Sequence, residues 1–577
     1  MQASEARQIV ICCDGTNNNL TGRKKDTNVV KLATVLSRVA GTQGPMLFYD
    51  PGVGNAGALP GVTVIDQLRR RAERISGLAF GRGVYENLEQ CYLFLMANYR
   101  PGDQLYIFGF SRGSFTARSL AGLINIFGVL QSHMVSMVPT LIHAYFADRN
   151  AGAAADFEDI AKQSKQIFCP PGAREVYMQY VGVWDTVASV GLRPFQAKIT
   201  AKPTIKGKRY LNVRHALALD EHRAQFKPRL YEDENGSYAA ANGATATIEQ
   251  RWFRGSHCDV GGGYGEGETL ISDRAFQWIV SEAVRCGLDL QGIDGPLDTE
   301  EKVASALRLD YLVADTGYVH SELRNTCLWA LAGMSVRDTT RAERDDHPTT
   351  TVAPFEHASV EEAKLEFPVD TVWRQAPRDK KRVMGLGIAL ISLICLMAWV
   401  LALPPKSDET LSIFEEMQRL LRMNLEFAHW QLEWGWRGIS MQDGIKAFGS
   451  PRWALFFDLG FIGCYAYVLA WFAVYAFARQ ARLRRAGAPS LPLFNTLGWA
   501  LPLMVSADLA EDFCTWLAIS LSSIGWERSA ILAGAFMTLF SILKFLGLAG
   551  VLALLFWPSP KSTRSVPAGA TARAAST

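Results

Sequence analysis

The sequence predicts an α/β fold, a mostly parallel β-sheet with flanking helices, followed by an α-helical transmembrane domain. Three observations predict it. Strand-like runs recur at Gln8–Cys13, Met46–Tyr49, Gln104–Phe108 and Val176–Trp184, and Gln104–Phe108 is apolar enough for a buried strand. One of these runs ends in a glycine–serine–glycine turn that leads straight into a helix-like stretch. Residues 1–376 carry charges throughout, whereas long apolar runs fill residues 383–557. The expected domains are therefore 1–376, catalytic in character, and 377–577, a membrane domain.

The first strand, Gln8–Cys13, leads into Asp14-Gly15-Thr16-Asn17-Asn18-Asn19, a polar loop of turn formers. A second loop, Asp50-Pro51-Gly52-Val53-Gly54-Asn55, follows the run at Met46–Tyr49. Both could offer backbone N–H groups to an anion, but neither fits a Walker or dinucleotide-binding pattern.

Gly109-Phe110-Ser111-Arg112-Gly113 fits the nucleophile elbow of an α/β-hydrolase. There a serine sits on a sharp strand-to-helix turn, and the glycines leave room for strained backbone. Such chemistry needs an oxyanion hole. Its expected donors are the N–H of Arg112, directly after the serine, and one from the earlier loop, assigned to Gly15.

A hydrolytic serine also needs a base and an acid that orients it. In α/β-hydrolases the chain order is Ser, then Asp or Glu, then His. The run Val176–Trp184 ends in Asp185-Thr186-Val187, which puts Asp185 where a triad acid belongs; the other reading is a turn or helix-cap aspartate. Of nine histidines, His257 follows a strand-like segment and precedes Gly261-Gly262-Gly263, so it is the expected base. Asp259 is the rival acid, or the residue that fixes the glycine turn.

These pieces together resemble the catalytic domain family of type VI secretion phospholipase effectors. The matching stretches are Asp14–Asn18, Tyr49–Gly54, Gly109–Gly113, Val183–Val187, His215–Glu221, and His257 with Asp259–Gly263, spread over residues 8–275. The resemblance implies serine lipase or phospholipase chemistry on a lipid substrate. It allows an immunity or secretion-system partner, and it does not cover the apolar half.

Composition narrows the remaining classes. The formal net charge of +3 gives no reason to expect nucleic acid. The 10 cysteines are scattered, with no pairing or His/Cys spacing that indicates a disulfide framework, a metal or another cofactor. No signal peptide is expected before Gln8.

The apolar half reads as four spans: Val383–Leu403, Trp453–Ala478, Leu493–Ile519 and Ile531–Trp557. Basic residues flank them at Arg378–Arg382, Arg479–Arg485 and Lys561–Arg564, all on one side of a four-span arrangement. The expected location is a bacterial inner membrane, with the catalytic half and the C-terminus cytoplasmic. Asp508, Glu511 and Asp512 share one helical face. Either they lie at membrane depth or the third segment ends near Ser506. Residues 410–437 read as an amphipathic helix. A membrane channel or sensor with a regulatory or inactive hydrolase-like domain is the alternative function.

Overall fold

Residues 9–13 of the first strand are completely buried, which explains the unbroken apolar run from Ile9 to Cys13. Strand geometry sends alternate side chains to opposite faces. Ile9, Ile11 and Cys13 enter one core with Leu105 and Ile107, while Val10 and Cys12 enter another with Tyr106 and Phe108. A run that is apolar at every position is what a sheet covered on both sides requires.

This is seen in a computed structural model that describes residues 6–15, 26–39, 44–52, 78–147, 151–187, 204–233, 235–264, 270–290, 302, 319–337, 355–356, 452–485, 494–523 and 526–556. In chain order the sheet unit contains β1 (Gln8–Cys13), α1 (Asn28–Val39), β2 (Met46–Asp50), α2 (Leu78–Asn98), β3 (Gln104–Phe110) and α3 (Arg112–Phe127). It continues with α4 (Val138–Phe146), α5 (Ala151–Phe168), β4 (Met178–Trp184), β5 (Asn212–Ala218), β6 (Gly236–Ala239), β7 (Thr245–Phe253), α6 (His257–Gly261) and α7 (Leu270–Arg285).

The strand order is β2-β1-β3-β4-β5-β7-β6, and a two-residue strand, Phe355–Glu356, pairs with β7. All pairings are parallel except β6 with β7. Leu88, Leu95, Leu120 and Ile124 of α2 and α3 pack in one core. Val29, Leu32, Phe276 and Ile279 of α1 and α7 pack in the other. Truncating one such leucine to alanine costs about 2–5 kcal/mol. The parallel register gathers the ends of β1, β3 and β4 along one edge of the sheet, where open α/β sheets place their ligands.

The chain divides into two compact units, Met1–Ser321 with Arg337–Glu366, and Glu322–Val336 with Phe367–Thr577. Among the described residues the second unit contains three long helices, α9 (Arg452–Arg485), α11 (Ala500–Ser523) and α12 (Glu527–Phe556), and short α8 (Glu322–Asn325) and α10 (Phe494–Leu497). Among the described residues one stretch, Ala535–Leu554, is long and apolar enough to cross a membrane; Tyr465–Ala478 is apolar but shorter. Val383–Leu403 and residues 410–437 lie outside the described residues.

The helix of the third apolar segment continues past Ser506: α11 runs unbroken through the acids to Ser523. Asp508, Glu511 and Asp512 are all buried. Lys544 of α12 lies 2.5 Å from Asp508 Oδ1 and 3.2 Å from Glu511 Oε2, and Tyr465 of α9 donates to Asp508. A cation on the neighbouring helix lets Asp508 and Glu511 stay inside.

Candidate active site

The chain turns sharply between β3 and α3, and Ser111 occupies the turn with φ 57 and ψ −120. A non-glycine residue at positive φ is strained and needs its surroundings to hold it. Ser111 N–H donates to Trp184 O at 3.0 Å. Ser114 Oγ reaches both Gly109 O (2.6 Å) and Trp184 O (2.8 Å), which ties the turn to the end of β4.

The two glycines are required by close approach. A Cβ on Gly109 would lie 2.6 Å from Gly113 O, and one on Gly113 would lie 2.2 Å from Cys13 O. The end of β1 therefore presses directly on the elbow.

His257 opens the short helix α6, and Ser256 caps it in a reciprocal box with Asp259. Its ring lies between Phe110 (centroids 4.7 Å apart) and Phe226 (5.1 Å). Its Nε2 is 2.7 Å from Ser111 Oγ, and its Nδ1 is 2.6 Å from Asp185 Oδ2. Ser111, His257 and Asp185 thus form one hydrogen-bonded chain, although they come from three separate parts of the sequence. Both ends of this chain are buried, Ser111 at 8% exposure and Asp185 at 0%.

Asp185 follows β4 at φ 39. Its N–H donates to Ala216 O at 2.7 Å, and its Oδ1 accepts from Ala218 N–H at 3.0 Å. Arg337 donates to both carboxylate oxygens, Nη1 to Oδ1 at 2.5 Å and Nη2 to Oδ2 at 2.9 Å. Burial alone would push this carboxyl up. The Arg337 charge and the His257 hydrogen bond outweigh burial and hold it well below the usual carboxylate range.

Asp259, the rival acid, is placed elsewhere. Its Oδ2 accepts from Ser256 N–H (2.8 Å) and His320 N–H (3.0 Å), and its Oδ1 pairs with His320 Nδ1 at 2.7 Å. His320 in turn stacks on Tyr264, centroids 3.8 Å apart. Asp259 fixes the turn that carries His257 and does not orient the His257 ring.

The stretch His215–Glu221 supplies props. His215 Nε2 accepts from Thr186 N–H at 3.2 Å, beside Asp185, and its Nδ1 faces Gln250 Oε1 at 3.2 Å. Both contacts suit a neutral ring. Burial, with the Arg118 charge, pushes its pKa down to about 3. Asp220 accepts from Gly255 N–H at 2.7 Å, and Glu221 accepts from His257 N–H at 3.3 Å.

The two expected oxyanion donors differ. Arg112 is the first residue of α3, directly after Ser111, where helix N–H groups point out of the helix start. Gly15 N–H donates to Asp14 Oδ1 at 2.6 Å. Asp14 is itself held by Thr27 and Tyr49 hydroxyls, each at 2.9 Å. Oxyanion binding by Gly15 would require breaking that bond.

Among the described residues one group has metal-like proximity, Cys13, Asp50 and Cys91, all buried. Its two sulfurs are 3.8 Å apart. The hydrogen bond to Cys91 and burial push the Cys13 thiol up.

Sequence reasoning misses Arg337 and His320. Neither lies in a motif, and no local signal marks either one.

Residues 7–282 match the family model described as T6SS, phospholipase effector Tle1-like, catalytic domain. This segment belongs to that family. An uncharacterized protein of Saccharomyces cerevisiae is 32% identical over 233 residues, 39% of this chain and 33% of the relative. The match thus spans about a third of that relative's length. A crystal structure of an uncharacterized protein from Pseudomonas aeruginosa aligns with 89% of this chain and 67% of its own, at 15% identity and a TM-score of 0.30. The Tle1-like segment contains Ser111, Asp185 and His257, and ends before His320 and Arg337.

Proposed function

We propose that the protein is a membrane-anchored serine esterase that hydrolyses acyl esters of lipids, in particular phospholipids. The observation that carries this reading is the hydrogen-bonded chain from Ser111 through His257 to Asp185 on a strained elbow. The Tle1-like phospholipase effector family of residues 7–282 supports the substrate class.

In this reading Ser111 Oγ attacks the ester carbonyl while His257 Nε2 takes its proton. Asp185 holds Nδ1–H and stabilises the imidazolium that forms. The Arg112 N–H faces the developing oxyanion. His257 then returns the proton to the leaving alcohol. Water, activated by the same histidine, releases the acid from the acyl-enzyme. These steps need no metal.

Membrane anchoring is supported by the surface of the helical unit. Phe513, Trp516, Leu532, Phe536, Phe545 and Leu546 on α11 and α12 are each at least 45% exposed, while Asp508 and Glu511 are turned inward to Lys544. Apolar side chains outside and ions inside suit a lipid surround. The basic flanks support a bacterial inner-membrane location with the catalytic unit cytoplasmic. The same buried ions favour the second reading, a channel or sensor whose hydrolase-like unit is regulatory.

Fatty-acid release from phospholipid vesicles separates the two. Full-length protein should release acid, and Ser111→Ala should lose several orders of magnitude in rate while staying folded. Equal release by both proteins would remove Ser111 from the chemistry, and none by the wild type would favour the second reading.

A further inference from the structure

Arg337 stands outside the Tle1-like segment, yet it makes more contacts to the acid than any residue within it. Its side chain is only 3% exposed. Nη1 donates to Asp185 Oδ1 and to Ala218 O, each at 2.5 Å. Nη2 donates to Asp185 Oδ2 at 2.9 Å and to Phe226 O at 2.6 Å. One planar guanidinium therefore joins the acid, the end of β5 and the backbone of Phe226, whose ring packs on His257. Lysine cannot reproduce four such bonds, because it lacks the planar fork.

The electrostatics follow from the shared oxygen. Asp185 Oδ2 meets both His257 Nδ1 and Arg337 Nη2. Arg337 is the cation that pairs with the fully buried Asp185 carboxylate. Among the described residues, Glu221, on the His257 N–H and paired with Arg223, and His215, behind Thr186, also face this site.

We infer that Arg337 is a positioning residue for this site, which fixes the Asp185 carboxylate so that Oδ2 holds His257 Nδ1–H and Nε2 faces Ser111. The inference rests on the hydrolytic reading above for its kinetic consequence, not for its structural one.

The test uses full-length protein labelled at histidine, with the His257 ring signals assigned by their loss in His257→Gln. In the wild type the His257 Nδ1–H proton bonded to Asp185 should appear at low field. Arg337→Met should move that proton upfield or lose it, and should lower kcat by about tenfold or more with KM little changed; Arg337→Lys should recover part of both. A folded Arg337→Met with the proton signal and kcat unmoved would overturn the inference. If that variant does not fold, undiminished turnover by Arg337→Lys would overturn it. Absence of Ser111-dependent turnover in the wild type would sink the hydrolytic reading alone, because the Nδ1–H signal still decides the positioning.

Discussion

Replacing Asp185 with asparagine separates the roles of the two aspartates near His257. In the wild type Oδ2 accepts from His257 Nδ1 at 2.6 Å, which leaves Nε2 as the acceptor facing Ser111 at 2.7 Å. An asparagine amide in that place donates to Nδ1 instead. The ring then carries its proton on Nε2 and cannot take one from Ser111. The expected loss is roughly 10⁴-fold in kcat, or about 5 kcal/mol of transition-state stabilisation. The same change removes the partner charge of buried Arg337, which costs about 3–5 kcal/mol of stability. Thermal unfolding must therefore accompany the kinetics, so that only folded enzyme is compared. Asp259→Asn should behave in the opposite way. Asp259 bonds to Ser256 and His320 and has no bond to the His257 ring. Its loss should lower Tm, with an activity loss far smaller than that of Asp185→Asn. If Asp259→Asn proves the more damaging to kcat in folded protein, the assignment of Asp185 as the orienting acid is wrong.

Two further outcomes are expected. His215 has a folded pKa of about 3, and its unfolded value is near 6.5. The unfolded chain thus binds the extra proton between these values, and His215 contributes to a stability loss as pH falls through that window, by up to about 1.4 kcal/mol per unit; His215→Gln should flatten the fall between about pH 6.5 and 5, and unchanged slopes would contradict the neutral-ring reading. A reporter active only outside the cytoplasm should be silent at Thr577 and active near Asp443, and activity at Thr577 would rule out the arrangement of four spans with both ends inside.

Much of the site is legible in the sequence because its signals are local. A strand, a glycine–serine–glycine turn and a helix are contiguous around Ser111, and Asp185 directly follows the last residue of its strand. His257 is marked by chain order and by the glycines after it. Most parallel strands are legible as apolar runs, but β5 and antiparallel β6 are not: Asn212–Ala218 is buried yet interrupted by Arg214 and His215, and Gly236–Ala239 is short and largely exposed, without an apolar pattern. Arg337 is invisible for a different reason. A buried arginine is recognisable only by its partners, and Asp185 lies 152 positions away. The same holds for Asp508 and Glu511, which look like a helix end until Lys544 on the next helix supplies the counter-charge. Asp259 shows the reverse problem. Its position two residues after His257 suggests a catalytic acid, and only the fold reveals its pairing with His320.

The central claim is that Ser111 is an activated nucleophile. The most direct measurement is to treat the full-length protein with a serine-directed fluorophosphonate and locate the adduct by peptide mass spectrometry. A single adduct on Ser111, lost in Ser111→Ala and much slowed in His257→Gln, is the predicted result. An unlabelled Ser111 in folded protein, or an adduct confined to another residue, would contradict the account.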